Sequence, residues 1–119
     1  MPIDPSENPA LETAFQRLDA EAFAHLLREH PGTLLLDARD ANAYAHGHLD
    51  GAIRLDGCNH EQMLIAQSRE RRVAVYCYHG KSSQFYAQMF IDFGFRHVCD
   101  LVGGHEAWSE FLRIKEAAS

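Results

Sequence analysis

The chain has 119 residues, an apolar fraction of 46% that includes seven Phe, and a formal net charge of −6. That suits one domain with one core and leaves little room for a second. The acidic balance argues against nucleic-acid binding through the overall field, and no apolar run approaches the ~20 residues of a membrane span. The first twelve residues carry neither the basic segment nor the apolar run of a secretory signal. Cys58, Cys77 and Cys99 are an odd number with no C-x-x-C pair. That usage fits a reducing cytoplasm better than a disulfide framework.

Residues 1–14 hold three of the four prolines and no periodic pattern, so a loose arm is expected there. Residues 15–18 suit a short strand. Asp19 then stands where an N-cap belongs, and Ala22, Phe23, Leu26 and Leu27 follow on one face of a helix. Pro31-Gly32 stops it. The apolar run 33–37 suits a strand covered on both faces. Residues 41–46 predict a short helix, and a glycine-punctuated turn leads into a short strand ending at Leu55. One or two helical turns are expected over 60–67, and a charged turn at 69–72 precedes a strand over 73–77. A helix over 84–93 places Tyr86, Met89, Phe90 and Phe93 inward and stops at Gly94. Residues 97–102 form the last strand, Gly103-Gly104 turns the chain, and a final helix turns Trp108, Phe111 and Leu112 inward. This alternation predicts an open α/β sheet, mostly parallel, with helices on both faces. In such sheets ligands bind at the carboxyl ends of the strands. Cys77 stands at one such end, and Asp37 and Arg39 at another.

The stretch Val73-Ala74-Val75-Tyr76-Cys77-Tyr78-His79-Gly80-Lys81-Ser82-Ser83 carries the chemistry. A cysteine that ends a buried strand and faces a helix N-terminus sits where negative charge is favoured. An ordinary thiol is only about 3% ionised at pH 7. Making it mostly thiolate takes about two pKa units, or ~2.7 kcal/mol. A helix N-terminus supplies ~0.3–1 kcal/mol, up to ~2 when partly buried. The remainder must come from the loop: amides of Tyr78 to Ser83, hydroxyls of Ser82 and Ser83, the Lys81 cation, and His79 when protonated. A core cysteine needs no such loop. Cys99, inside an apolar strand, is expected to be packed, and Cys58, in a Gly-Cys-Asn turn, to be an incidental exposed thiol.

These residues resemble the active-site loop of single-domain rhodaneses, the thiosulfate sulfurtransferases. Asp37-Ala38-Arg39-Asp40, with Tyr44 and Gly47-His48-Leu49-Asp50-Gly51-Ala52-Ile53, looks like that family's N-terminal signature. Leu101-Val102-Gly103-Gly104-His105-Glu106-Ala107-Trp108 looks like its C-terminal one. The resemblance implies a rhodanese-like domain over residues 15–119 with a five-stranded parallel sheet, and no metal or organic cofactor. It implies that Cys77 takes a sulfur atom from a small anionic donor such as thiosulfate and holds it as a persulfide. The acceptor would be cyanide, a thiol or a protein. The loop Tyr78, His79, Gly80, Lys81, Ser82 and Ser83 would bind the donor. Asp37 and Arg39 would hold the loop in place, and Gly103 and Gly104 would turn the chain beside it.

Two rival readings stay open on the residues. Cysteine phosphatases and arsenate reductases use a Cys-x5-Arg loop, whose arginine grips an oxyanion; here that position is Ser83. A noncatalytic binding or sensing module of the same family is the other. The Arg69, Arg71 and Arg72 cluster suits a solvated turn, or a dock for an acidic partner or a tRNA. His46-x-His48 has no third ligand placed nearby by sequence, so no metal site is expected.

Overall fold

The computed structural model describes residues 14–118. The expected arm thus lies, all but Ala14, outside the described residues. Ten elements alternate along the chain: β1 (Gln16–Leu18), α1 (Ala20–Glu29), β2 (Leu34–Asp37), α2 (Ala41–His46), β3 (Ile53–Arg54), α3 (His60–Ala66), β4 (Val73–Tyr76), α4 (Ser82–Asp92), β5 (Val98–Leu101) and α5 (Gly104–Ala118). The strands form one sheet in the order β1-β5-β4-β2-β3, and every pairing is parallel. The architecture is the expected one.

The central strands explain themselves. Every residue of β2, β4 and β5 is buried, as both faces of a parallel sheet must be. Successive side chains point to opposite faces. Leu34, Leu36, Val73 and Val75 join Leu64 of α3 and Ala87 and Phe90 of α4 in one apolar layer. Leu35, Ala74, Tyr76 and Leu101 join Phe23 of α1, with Trp108 and Phe111 of α5 packed against them, in the other. Helix α1 begins where Asp19 caps it by accepting from the Ala22 amide, and Asp40 caps α2 in the same way through Ala43.

Two helices differ from expectation. Helix α4 starts at Ser82 rather than residue 84, and its buried side is Ser83, Ala87 and Phe90. Phe93 lies at its C-cap and is exposed. Small residues face inward because α4 packs directly on β4 and β5. On α5, Trp108 and Phe111 turn inward as expected, but Leu112 is exposed. Among the described residues no helix is long and apolar enough to cross a membrane.

Candidate active site

Because all five strands run the same way, β2, β4 and β5 deliver their last residues to one edge of the sheet. Strand β4 ends at Tyr76, and Cys77 follows, 1% exposed. Burial alone would hold its thiol protonated. Hydrogen bonds from the Ser83 hydroxyl and amide, the Ser82 hydroxyl and the Gly80 amide outweigh that and bring the thiol below its ordinary range. The Gly80 amide donates to Sγ at 3.2 Å, and Ser83 Oγ stands 3.4 Å from Sγ.

The next peptide plane of the loop is held as well. The Gly80 carbonyl accepts from Arg17 at 2.8 Å and from the Gln84 side chain at 2.7 Å. The carbonyls of Cys77 and Tyr78 accept from the amides of His105 and Glu106, in the first turn of α5. Both glycine positions are dictated by this packing. Gly80 has φ +88°, and a Cβ there would stand 2.8 Å from the Gly103 nitrogen. Gly104 has φ +62°, and a Cβ there would lie 2.5 Å from the carbonyl oxygens of both Cys77 and Tyr78.

Behind the sulfur lies a polar chain that crosses three strands. Asp100 of β5 is fully buried. It accepts from Ser83 Oγ at 2.8 Å and from Arg17 of β1 at 2.9 and 3.1 Å. Neither Arg17 nor Asp100 stands out in the sequence reading. The one available signal was a carboxylate in the middle of the apolar run Val98-Cys99-Asp100-Leu101-Val102, which demands a partner.

Asp37 and Arg39 sit at the end of β2, beside this loop, and both are buried. The carboxylate accepts from the Arg39 amide at 2.9 Å, from its guanidinium at 2.8–3.2 Å and from the Tyr76 hydroxyl at 2.5 Å. Burial would raise the Asp37 pKa. The Arg39 and Tyr76 hydrogen bonds overcome it and hold the carboxyl below its usual range. Arg39 also donates to the Gly47 carbonyl at 2.6 Å and lies under the rings of Tyr76 and Tyr78. The Tyr78 hydroxyl bonds the Asp40 carboxylate. The expected structural pair thus reaches the active loop through two tyrosines.

His79 and Lys81 face outward. His79 is exposed and pairs with Glu106 at 2.6 Å, so its ring is engaged away from the sulfur. Lys81 is exposed at the N-cap of α4 and makes no side-chain cap bond there. Ser82 is exposed at the start of α4. Nothing brings the other candidates together. His46 and His48 each bond a backbone carbonyl through Nδ1, and His48 stacks on Tyr44. Among the described residues no group of three His, Cys, Asp or Glu side chains is arranged to hold a metal. Arg69 holds the carbonyls of Phe93, Leu64 and Gln67, and Arg71 holds that of Gly32. Those two arginines tie turns together. Cys99 is packed among apolar side chains and its pKa is pushed up to about 12, chiefly by burial. Cys58 is exposed.

A parallel α/β sheet with a thiol in a cradle of donors at its carboxyl edge defines a class: cysteine-centred α/β domains. Residues 19–111 match the model of the rhodanese-like domain. The chain is 36% identical over 96 residues to the thiosulfate sulfurtransferase GlpE of Stutzerimonas stutzeri, which covers 81% of this chain and 86% of that protein. It is 40% identical over 94 residues to the thiosulfate sulfurtransferase GlpE of Pseudomonas fluorescens, covering 79% and 84%. The crystal structure of the Alr3790 protein from Anabaena sp. is similar with a TM-score of 0.69 at 26% identity, over 79% of this chain and 76% of that one. The chain belongs to the rhodanese-like family.

Proposed function

We propose that this protein is a thiosulfate sulfurtransferase that works through a persulfide on Cys77. The observation that carries the reading is the sulfur's setting: a buried Sγ that accepts from the Gly80 amide, with the Ser83 hydroxyl beside it. The relatives named thiosulfate sulfurtransferase support the donor.

In the first displacement the Cys77 thiolate attacks the outer sulfur of thiosulfate. The S–S bond of the donor breaks, sulfite leaves with its electron pair, and Cys77 carries the persulfide anion. In the second, a nucleophile attacks the terminal sulfur and the Cys77 thiolate is restored; cyanide would leave as thiocyanate. Splitting the transfer replaces one difficult encounter by two easier ones. Amide donors can hold the terminal sulfur's charge without protonating it. Lys81, exposed beside the loop, meets the dianionic donor. Asp37, Arg39, Gly103 and Gly104 hold the loop's shape. A thiol or a protein thiol is the cellular acceptor, and a reducing compartment, consistent with three free cysteines, keeps Cys77 available.

Mass spectrometry of the intact protein tests this. Thiosulfate should add one sulfur atom to Cys77, and cyanide should then remove it. A protein that gains no sulfur would refute the reading and leave a noncatalytic module of the same fold; one that gains it equally after Cys77→Ser would refute Cys77 as the carrier.

A further inference from the structure

The Ser83 hydroxyl has one proton and two claimants. A carboxylate can only accept, so at 2.8 Å from Asp100 the hydroxyl donates there. Its lone pair then faces Cys77 and receives the S–H at 3.4 Å. Once the thiol ionises, the sulfur has no proton to give and needs a donor. The nearest hydroxyl is the same one. Turning it toward sulfur costs Asp100 a hydrogen bond, but Arg17 keeps two bonds to that carboxylate. The Arg17 guanidinium also stays on the carbonyl of Gly80, the residue whose own N–H, in the preceding peptide unit, donates to Sγ.

We propose that Asp100 and Arg17 are positioning residues for the reaction at Cys77: they hold Ser83 so that its hydroxyl accepts from the thiol and, by rotation about one bond, donates to the thiolate. The proton lost from sulfur passes to solvent, Ser83 keeps its own, and Asp100 keeps its two bonds from Arg17. The proposal rests on the reading of Cys77 as the nucleophile. It goes beyond that reading by naming what sets the nucleophile's protonation.

The charged groups around the sulfur are few. Arg17 comes from β1 and Asp100 from β5, both in the chain just described. Lys81 lies at the start of α4, exposed to solvent. The Cys99 thiol stands opposite Ala74, three residues back from Cys77 along β4, and its pKa is pushed up to about 12 by burial. On the α5 side the nearest contact is the His105 backbone amide on the Cys77 carbonyl.

The test is the pH profile of Cys77 alkylation by iodoacetamide, followed on the Cys77 peptide so that Cys58 does not interfere. It needs no thiosulfate, so it stands or falls apart from the sulfur-transfer assay. Ser83→Ala should move the profile up by about one pH unit, because the thiolate loses a charge-assisted donor. Asp100→Asn should move it down, because the hydroxyl is released toward sulfur. That fall should be at least halved in a chain that already carries Ser83→Ala. Loosening of the loop would move every variant up, and a simple field from Asp100 would act equally in both backgrounds; either pattern overturns the proposal. Arg17→Lys, at a partly exposed site, covers the case in which Asp100→Asn does not fold. It keeps the charge but cannot span Asp100 and Gly80. Its profile should rise in both backgrounds through the loosened Gly80 contact and rise further when Ser83 is present; an equal rise in both would overturn the proposal.

Discussion

Cys77 sits where burial alone would keep it protonated, and nearby donors reverse the balance. Replacing its sulfur with oxygen keeps the shape but removes the soft nucleophile. Cys77→Ser should therefore fold with an unchanged circular dichroism spectrum and lose sulfur transfer; turnover above half of wild type would contradict this. Lys81 acts differently. It is solvated, and the charge it meets on thiosulfate is present before and during attack. Lys81→Ala should raise the thiosulfate KM more than it lowers kcat. Steady-state kinetics at low ionic strength, where an exposed charge is least screened, is the sensitive measurement.

Helix ends fix the loop more than helix faces do. The first turn of α5 meets the carbonyls of Cys77 and Tyr78 so closely that no side chain fits at residue 104. Gly104→Ala should destabilise the fold by about 1–3 kcal/mol from backbone strain alone, with the overlap adding to it, and should lower sulfur transfer as well. Urea unfolding reads the first effect and a turnover assay the second. Asp19→Ala removes the α1 cap, whose carboxylate accepts from the Ala22 amide; it should cost about 1 kcal/mol and leave the transfer rate unchanged. At this scale the sequence was readable where the signal was local. Asp19, Gly94 and the Gly103-Gly104 turn all act where expected, because caps and left-handed turns depend on near neighbours. The start of α4 was not readable, since Ser82 and Ser83 look like loop residues until β4 and β5 pack against them. Phe93 and Leu112 misled in the same way: helical spacing places a side chain on a face but does not say how far the layer beneath extends.

Across the whole molecule, the polar interior is what links the sheet to the site. Asp37 has a folded pKa below its unfolded value of about 3.9. Its contribution is therefore full above that unfolded value and is lost as pH falls toward the folded one. The stability gap between wild type and Asp37→Asn, from denaturant unfolding, should be constant from about pH 5 to 7 and narrow below about pH 4. The Asp37 and Arg39 pair was legible because the two lie two residues apart in a polar turn. The Arg17 and Asp100 pair was not. Its members are 83 residues apart, and each sits in a short strand whose neighbour in the sheet is fixed only by the fold. Sequence spacing carries no record of which strands will be adjacent.

The tie between α5 and the loop has a kinetic meaning. The amides of His105 and Glu106 are closed by the carbonyls of Cys77 and Tyr78, so neither amide can meet a solvent deuteron while that closure lasts. Their exchange rates then act as a clock on how often the cradle around the sulfur comes apart. If loop and helix open as one unit, both amides should exchange at the same free energy of opening as Gly80, and the C-terminal helix becomes a timer for the resting life of the site.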